Sequence, residues 1–423
     1  MPANERRPDF SLRGADGTAF TSQIIKSVLK NQRHRNMHIT LVISTFGAGG
    51  AERVMAVMAN YWAEHGHDLT LITLAPAEED FYPLHPGIRR VGLGLTNPST
   101  SPRKAVWNNM VRLKRLRTAI HLSQPDAVIS FVEKTNILVL MSTIGLHIPV
   151  VACERIDPRY YKIEQVWAVL RRVLYRRAVA LVVQTEDVRG WAEGFLNDTS
   201  VYVIPNPISP IERIGRGTLN GNPSSKTVAA MGRLVPQKRF DNLIHAFAHC
   251  LARHSDWSLI IVGEGPERKR LEALSAHLGI GDRVTLLGRL SDPFPVLRKA
   301  DLFVLSSCYE GFPNALVEAM ACQLPVVSTD CPSGPRDIIR DGVDGILVPP
   351  DDVAALAGAM DRLMADPQER QRLGGRAVEV VERFSTDRIM KLWGDLLARI
   401  TDPPMREEHT VSHWPLFRNR RIT

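Results

Sequence analysis

At 423 residues the chain exceeds the size at which one hydrophobic core usually keeps growing, so two domains of roughly 200 residues, with a cleft between them, are expected. Hydrophobic content of 44% and charged content of 23% are ordinary for a globular protein and confine disorder to the ends. The net charge of +8 is local: residues 1–200 hold 25 Lys and Arg against 18 Asp and Glu, and the remainder holds 28 against 27. Such a field serves nucleic acid, anionic lipid or a phosphorylated ligand, and 6% aromatic content without a recognisable binding motif argues against nucleic acid.

Five cysteines, odd in number and without a C-x-x-C pair, suit a reducing compartment and no zinc site, so a cytoplasmic protein is expected. Residues 1–36 read as a basic, polar extension without the apolar core of a signal peptide. From Met37 the pattern changes. "MHITLVISTF", "DLTLITL", "DAVISFV", "PVVAC" and "ALVVQT" alternate with helical periods such as "AERVMAVMANYWAEHG", which is the signature of parallel βαβ units over 37–205. The longest apolar run, Ile137 to Cys153, is broken by Gly145, His147 and Pro149. It reads as a buried helix followed by a buried strand, not a membrane span.

A Pro-, Gly-, Asn- and Ser-rich stretch makes 206–226 a linker. The alternation then restarts over 227–385, with strands "TVAAMG", "WSLIIVG", "RVTLLG", "DLFVLSS" and "PVVST". A closing helix follows at 386–401 and a tail at 402–423. Near-continuous apolar strands belong to sheets covered on both faces. The expected fold class is therefore α/β, two doubly wound domains facing a cleft.

Several loops carry the chemistry. "TFGAGGAERVM" follows the first strand, and Gly47, Gly49 and Gly50 let backbone amides approach an anion at a helix N-terminus. A dinucleotide fingerprint needs a glycine where this chain has Glu52, and "GEGPER" fails likewise at Arg268, which disfavours an NAD-linked oxidoreductase. "MGRLVPQKRFDNLI" puts Arg233 and Lys238 in one strand-to-helix loop, a donor fork and a point charge that together suit a diphosphate. In "SCYEGFPNALVEAM" a Gly-Phe-Pro-Asn turn separates Glu310 from Glu318. Gly311 and Pro313 force the turn, and the helix starting near Asn314 aims its positive end into the cleft. Acids in so apolar a stretch are costly unless they hydrogen-bond something.

The E-x7-E spacing, preceded by the G-R-L…Q-K loop and followed by "PVVSTD", resembles glycosyltransferase family 4, retaining enzymes of the GT-B fold with two Rossmann-like domains. The resemblance runs from about Met37 to Ile400. It implies that Arg233 and Lys238 hold the diphosphate of a nucleotide-sugar donor, UDP-linked, and stabilise charge developing on it. It further implies that Glu310 lies beside the transferred sugar, that Glu318 bonds the ribose, and that Gly311, Phe312 and Asn314 form the turn against the donor. The glycine loop touches the diphosphate or the acceptor from the opposite wall, and main-chain groups around Leu290 in "LLGRLSD" meet the base. Many members carry a His at the end of an N-domain strand, whereas "PVVACERIDP" has Glu154 and Arg155. That form looks like the branch that builds bacterial surface and lipid-linked glycans, and it makes the two residues either cleft groups on the acceptor side or an internal ion pair.

With no Asp-x-Asp motif on a strand end, no metal and no cofactor are expected, the nucleotide sugar being a substrate. Two basic helices, "SPRKAVWNNMVRLKRLRTAI" and "YYKIEQVWAVLRRVLYRRA", read either as solvated faces or as docking surfaces for anionic lipid or a polyprenyl-linked acceptor. Their core sides are expected at Trp107, Met110, Val111 and Leu116, and at Trp167, Leu170 and Leu174. The function expected is a retaining glycosyltransferase acting on a glycan or lipid-linked glycan, cytoplasmic or peripheral on the inner face of the membrane. A sugar-nucleotide epimerase on the same fold and a two-lobed sugar-binding protein are the alternatives.

Overall fold

The computed structural model describes residues 36–96, 100–196, 199–208 and 226–401. The tail at 402–423, most of the linker and, apart from Asn36, the N-terminal extension lie outside the described residues. The chain separates into a unit ending at Met37 and a second, the folded body, that begins at His38.

Two wholly parallel sheets build that body. The first has seven strands: β1 (His38–Ile43), β2 (Asp68–Thr73), β3 (Arg89–Gly92), β4 (Ala127–Phe131), β5 (Val150–Cys153), β6 (Ala180–Val183) and β7 (Ser200–Val203), in spatial order β3-β2-β1-β4-β5-β6-β7. The second has six: β8 (Lys226–Met231), β9 (Trp257–Val262), β10 (Val284–Gly288), β11 (Leu302–Leu305), β12 (Val326–Thr329) and β13 (Ile346–Val348), in order β10-β9-β8-β11-β12-β13. The central strands are buried along almost their whole length because helices cover both faces. β3, β7 and β13, which the apolar pattern did not announce, all lie at sheet edges, where one side needs no apolar cover. The run from Ile137 is a buried helix, Glu133–Ser142, followed by the buried β5, as expected. Among the described residues no helix is long and apolar enough to cross a membrane.

Each sheet reverses direction once, between β1 and β4 in the first and between β8 and β11 in the second. At such a switch point the outgoing loops part to opposite faces and leave a crevice beyond the strands' carboxyl ends. Both crevices open into one cavity. The last helix, Thr386–Thr401, returns to the first lobe, where Trp393 meets Trp62 edge-on with centroids 6.1 Å apart.

The helix Pro102–Ser123 corrects one expectation. Leu116 is buried in its core side, but Trp107 and Met110 are 66% and 58% exposed. Helix Gln165–Leu174 follows the expected pattern, with Leu174 buried and Trp167 and Leu170 packed against the core.

Candidate active site

The cavity holds about 530 Å³, within the range of small-molecule sites, and takes its lining from both sheets. The β8 loop contributes Arg233 and Lys238; the β11 loop contributes Glu310, Gly311, Phe312 and Asn314, with Glu318 one turn further on. Because β8 and β11 flank the switch point, their loops face each other. Lys238 Nζ donates to Glu310 Oε1 at 2.5 Å, and Ser307 Oγ donates to the same oxygen at 2.6 Å. Glu310, 5% exposed, is thus neutralised and fixed on one oxygen, which leaves Oε2 free for a ligand. Arg233 is exposed and forms no ion pair among the described residues, though its charge bears on Glu52 and Tyr309.

The helix Asn314–Ala321 starts without a side-chain cap. Its first amides therefore remain available to an anion. Asn314 Oδ1 accepts from Asn206 Nδ2 at 2.7 Å, and its Nδ2 donates to the Gly50 carbonyl at 3.3 Å, tying the two lobes together at this point. Glu318 is 4% exposed and pairs with Arg53 of the first lobe at 2.8 Å; its Oε2 has no partner. Burial pushes the Glu318 carboxyl up to about 7, with Arg53 pulling the other way. Arg53 also lies 5.6 Å over the Phe294 ring, so this first-lobe side chain is seated in the second lobe.

In the first lobe Gly49 and Gly50 line the cavity, and Gly47 does not. The helix N-terminus behind them, Gly50–Glu64, is less open than the glycine spacing suggests. Glu52 folds back so that its Oε2 lies 2.1 Å from where a Cβ on Gly49 would stand, and its Oε1 accepts from Thr45 Oγ1 at 3.1 Å. The glycine leaves room for that carboxylate to fold back over the loop. Tyr82 donates to the Gly49 carbonyl at 3.2 Å and completes this wall.

Glu154 and Arg155 part company. Arg155 lines the cavity. Glu154, 2% exposed, does not: it accepts from Tyr175 Oη at 2.7 Å, with Arg171 at 3.7 Å, and burial raises its carboxyl to about 7. Of the two readings of the pair, Glu154 takes the internal one, with Arg171 in place of Arg155. Leu290 lines the far end beside Glu264 and Arg289. There Gly263 is required, because a Cβ at its φ of 148° would lie 1.9 Å from the Gly232 carbonyl oxygen.

Sequence reasoning missed Arg53, Glu52, Gln184 and Asn206. The first two follow the glycine loop in "GGAERV" and could have been placed on the first turn of its helix. Gln184 and Asn206 are brought in by the ends of β6 and β7, and no local pattern marks them.

A family model described as Glycosyltransferase Family 4 matches residues 48–211, and one described as Glycosyl transferases group 1 matches residues 216–380. A Campylobacter jejuni α-1,4-N-acetyl-D-galactosaminyltransferase, named for a diphospho-undecaprenol-linked glycan, is 29% identical over 365 residues, 86% of this chain and 99% of that protein. An exopolysaccharide phosphotransferase of Streptomyces coelicolor is 41% identical over 247 residues, 55% of this chain, which spans only 26% of that protein's length. Sucrose-phosphate synthase from Thermosynechococcus elongatus shares the fold, with a TM-score of 0.72 at 21% identity over 85% of this chain and 98% of that one. With the two models laid end to end over both sheets, the chain belongs to the GT-B glycosyltransferases, its N-terminal half of the family 4 kind and its C-terminal half of group 1.

Proposed function

We propose that this glycosyltransferase moves a sugar from a nucleotide-sugar donor, UDP-linked, to a lipid-linked glycan, with retention of anomeric configuration and without a metal ion. One observation carries the donor reading: Arg233, the Lys238–Glu310 pair, the open start of helix Asn314–Ala321 and the unpartnered Glu318 Oε2 converge on one cavity. The diphosphate lies against Arg233, Lys238 and the helix amides, which stabilise the negative charge that grows as the sugar–phosphate bond breaks and supply the charge a divalent ion would bring. Glu318 Oε2 accepts from the ribose diol, and Glu310 Oε2 from the sugar. Retention is supported by the family resemblance and by the α-transferase name of the Campylobacter relative.

The lipid-linked acceptor is supported by the outer face of the first lobe. Helices Pro102–Ser123 and Gln165–Leu174 both pack on helix Glu133–Ser142 and expose Val106, Trp107, Met110, Val166, Val169 and Val173 amid Arg103, Lys104, Arg172 and Arg176. Apolar anchors within a basic field suit an anionic membrane surface, the face at which such an acceptor resides.

A panel of nucleotide sugars tested by thermal shift checks the donor, since a ligand at ~100 times its dissociation constant stabilises by ~2.7 kcal/mol. Failure of every nucleotide sugar to raise the midpoint overturns the reading. NMR of the product then reads the anomer and EDTA tests the metal. An α-linked donor giving a β-linked product, or activity lost to EDTA and restored by Mg²⁺ or Mn²⁺, refutes those parts. Conversion of the donor with no acceptor present marks an epimerase.

A further inference from the structure

Of the cations that line the cavity, Lys238 is matched to Glu310 and Arg53 to Glu318, while Arg233 and Arg289 stand exposed to water. Arg155 is neither paired with an acid nor exposed. It forms no ion pair among the described residues, and its sequence neighbour Glu154 is committed to Tyr175 and Arg171. Its Nη1 donates to Asn206 Oδ1 at 2.9 Å, while Nε and Nη2 are buried without a hydrogen-bond partner. Gln184 Oε1, bonded through its own amide to the same Asn206, is likewise buried and unpartnered. Both residues line the cavity.

The guanidinium is held firmly. Its carbon lies 3.5 Å over the Phe131 ring. Its loop is pinned to the second lobe by Ser333, which donates to Asp157 at 2.6 Å. Gly311 packs so close that a Cβ there would stand 2.4 Å from the Arg155 carbonyl oxygen. The residue's backbone therefore packs against the Glu310 turn, and its guanidinium reaches Asn206, which donates to Asn314 at the end of that turn. Burial pulls its pKa down to about 10, against the Cys153 sulfur beside it, a weak acceptor that pulls the other way; the guanidinium stays charged at neutral pH, and the thiol, raised to about 12, is neutral there and offers no counter-charge.

A buried charge without a partner is strongly destabilising, and a guanidinium offers two adjacent parallel N–H bonds to a planar or tetrahedral oxyanion. The unused Nε and Nη2 form one such edge. We infer that Arg155 is a second oxyanion site of the cleft, on the first-lobe wall, taking a phosphate or carboxylate oxygen pair through Nε and Nη2, with Gln184 Oε1 accepting from a neighbouring hydroxyl. The site deepens the transferase reading and rests on it for its two sources, the donor's diphosphate or an acidic group of the acceptor.

Calorimetric titration of the full chain with inorganic pyrophosphate, UDP and D-glucuronate, with D-glucose as a neutral control, tests the site in the parent, Arg155→Met and Arg155→Lys. In Arg155→Met the affinity for at least one anion falls tenfold or more, Arg155→Lys recovers part of it, and D-glucose is unaffected. UDP falling with glucuronate unchanged assigns the donor; the reverse assigns the acceptor. A merely structural arginine would lower the melting point of the ligand-free Met variant, whereas removal of an unmatched charge leaves it equal or higher. Both variants binding all three anions as the parent does, or the parent binding none, overturns the inference. UDP alone failing on the parent, with pyrophosphate or glucuronate bound through Arg155, counts against the transferase reading and leaves the anion site standing.

Discussion

In the second lobe the crevice between β8 and β11 holds opposite charges that meet within one wall, Lys238 on Glu310. In the first lobe the crevice between β1 and β4 holds a carboxylate, Glu52, turned onto a glycine loop, with Arg155 unmatched two strands away. The second wall has its buried charge fixed on a partner before any ligand arrives and leaves only exposed cations, Arg233 and Arg289, unpaired; the first keeps a buried charge in reserve. Under the proposed function, a fixed ion pair flanked by solvated cations suits the step common to every turnover, the handling of a diphosphate. An unbalanced wall suits a ligand that must bring its own charge.

Breaking the balanced wall should have the largest effect. Lys238→Ala removes a cation from the growing charge on the diphosphate and leaves Glu310 with Ser307 alone. Turnover should fall by an order of 10²- to 10³-fold, as when a single oxyanion donor is lost. Steady-state kinetics on the folded variant checks this, and near-parental turnover would make the ion pair structural.

The next effect lies away from the cleft and is read in stability. Burial raises the Glu154 carboxyl to about 7 in the folded protein, against its ordinary 4.5. Between those values the folded state holds a proton that the unfolded state has lost, so stability falls as pH rises through the window, by at most ~1.4 kcal/mol per unit and on the order of 3 kcal/mol in all. Glu154→Gln keeps an acceptor for Tyr175 and has no proton to lose. Its stability relative to the parent should climb from pH 5 to pH 8 in denaturant titrations, with turnover little changed. A constant difference across that range would refute the assignment of Glu154 to the interior.

How much of this the sequence shows depends on how local each cause is. Central strands and their order of helices were legible because burial on both faces leaves a continuous apolar run, and Glu310, Gly311, Asn314 and Glu318 were legible as a turn and a helix start within nine residues. The edge strands β3, β7 and β13 were not, because an edge tolerates polar residues. Trp107 was assigned to the core side of its helix by the helical face of its apolar neighbours, yet it faces outward. The Arg53–Glu318 pair joins residues 265 positions apart, and no spacing rule reaches that far.

That pair sharpens the comparison, since it is where the first wall supplies a charge to the second. Glu318→Gln should raise the donor KM about tenfold with turnover largely kept, because the ribose is held alike in ground and transition states. Around Glu318 stand Arg53, Asp292, the Tyr82 phenol and the Cys322 thiol; Arg53 lowers its pKa and Asp292 raises it. Donor kcat/KM in the parent should therefore decline as pH drops through about 7, and the decline should be missing in the Gln variant. Arg53→Met removes the lowering charge, so its decline should begin at higher pH. An identical profile in all three proteins would sever Glu318 from donor binding.

The smallest effect concerns the outer surfaces, where the lobes differ again. Among the described residues, twelve of the fourteen large apolar side chains that stand exposed belong to the first lobe, and only Leu287 and Val343 to the second, so any membrane contact should be one-sided. Trp107, 66% exposed in a basic helix, is the largest of these anchors. Trp107→Ala should lower partitioning onto phosphatidylglycerol vesicles by a few-fold while leaving the melting point unchanged, because a side chain so exposed contributes little to the fold. The electrostatic part should appear separately, as release of the parent at high salt, since exposed charges are screened beyond ~8 Å at physiological ionic strength. Leu287→Ala in the second lobe serves as the control and should partition like the parent. Equal losses from both lobes would mean a non-specific apolar contact, and no binding to phosphatidylglycerol at any salt would return the basic helices to solvent and favour a soluble acceptor.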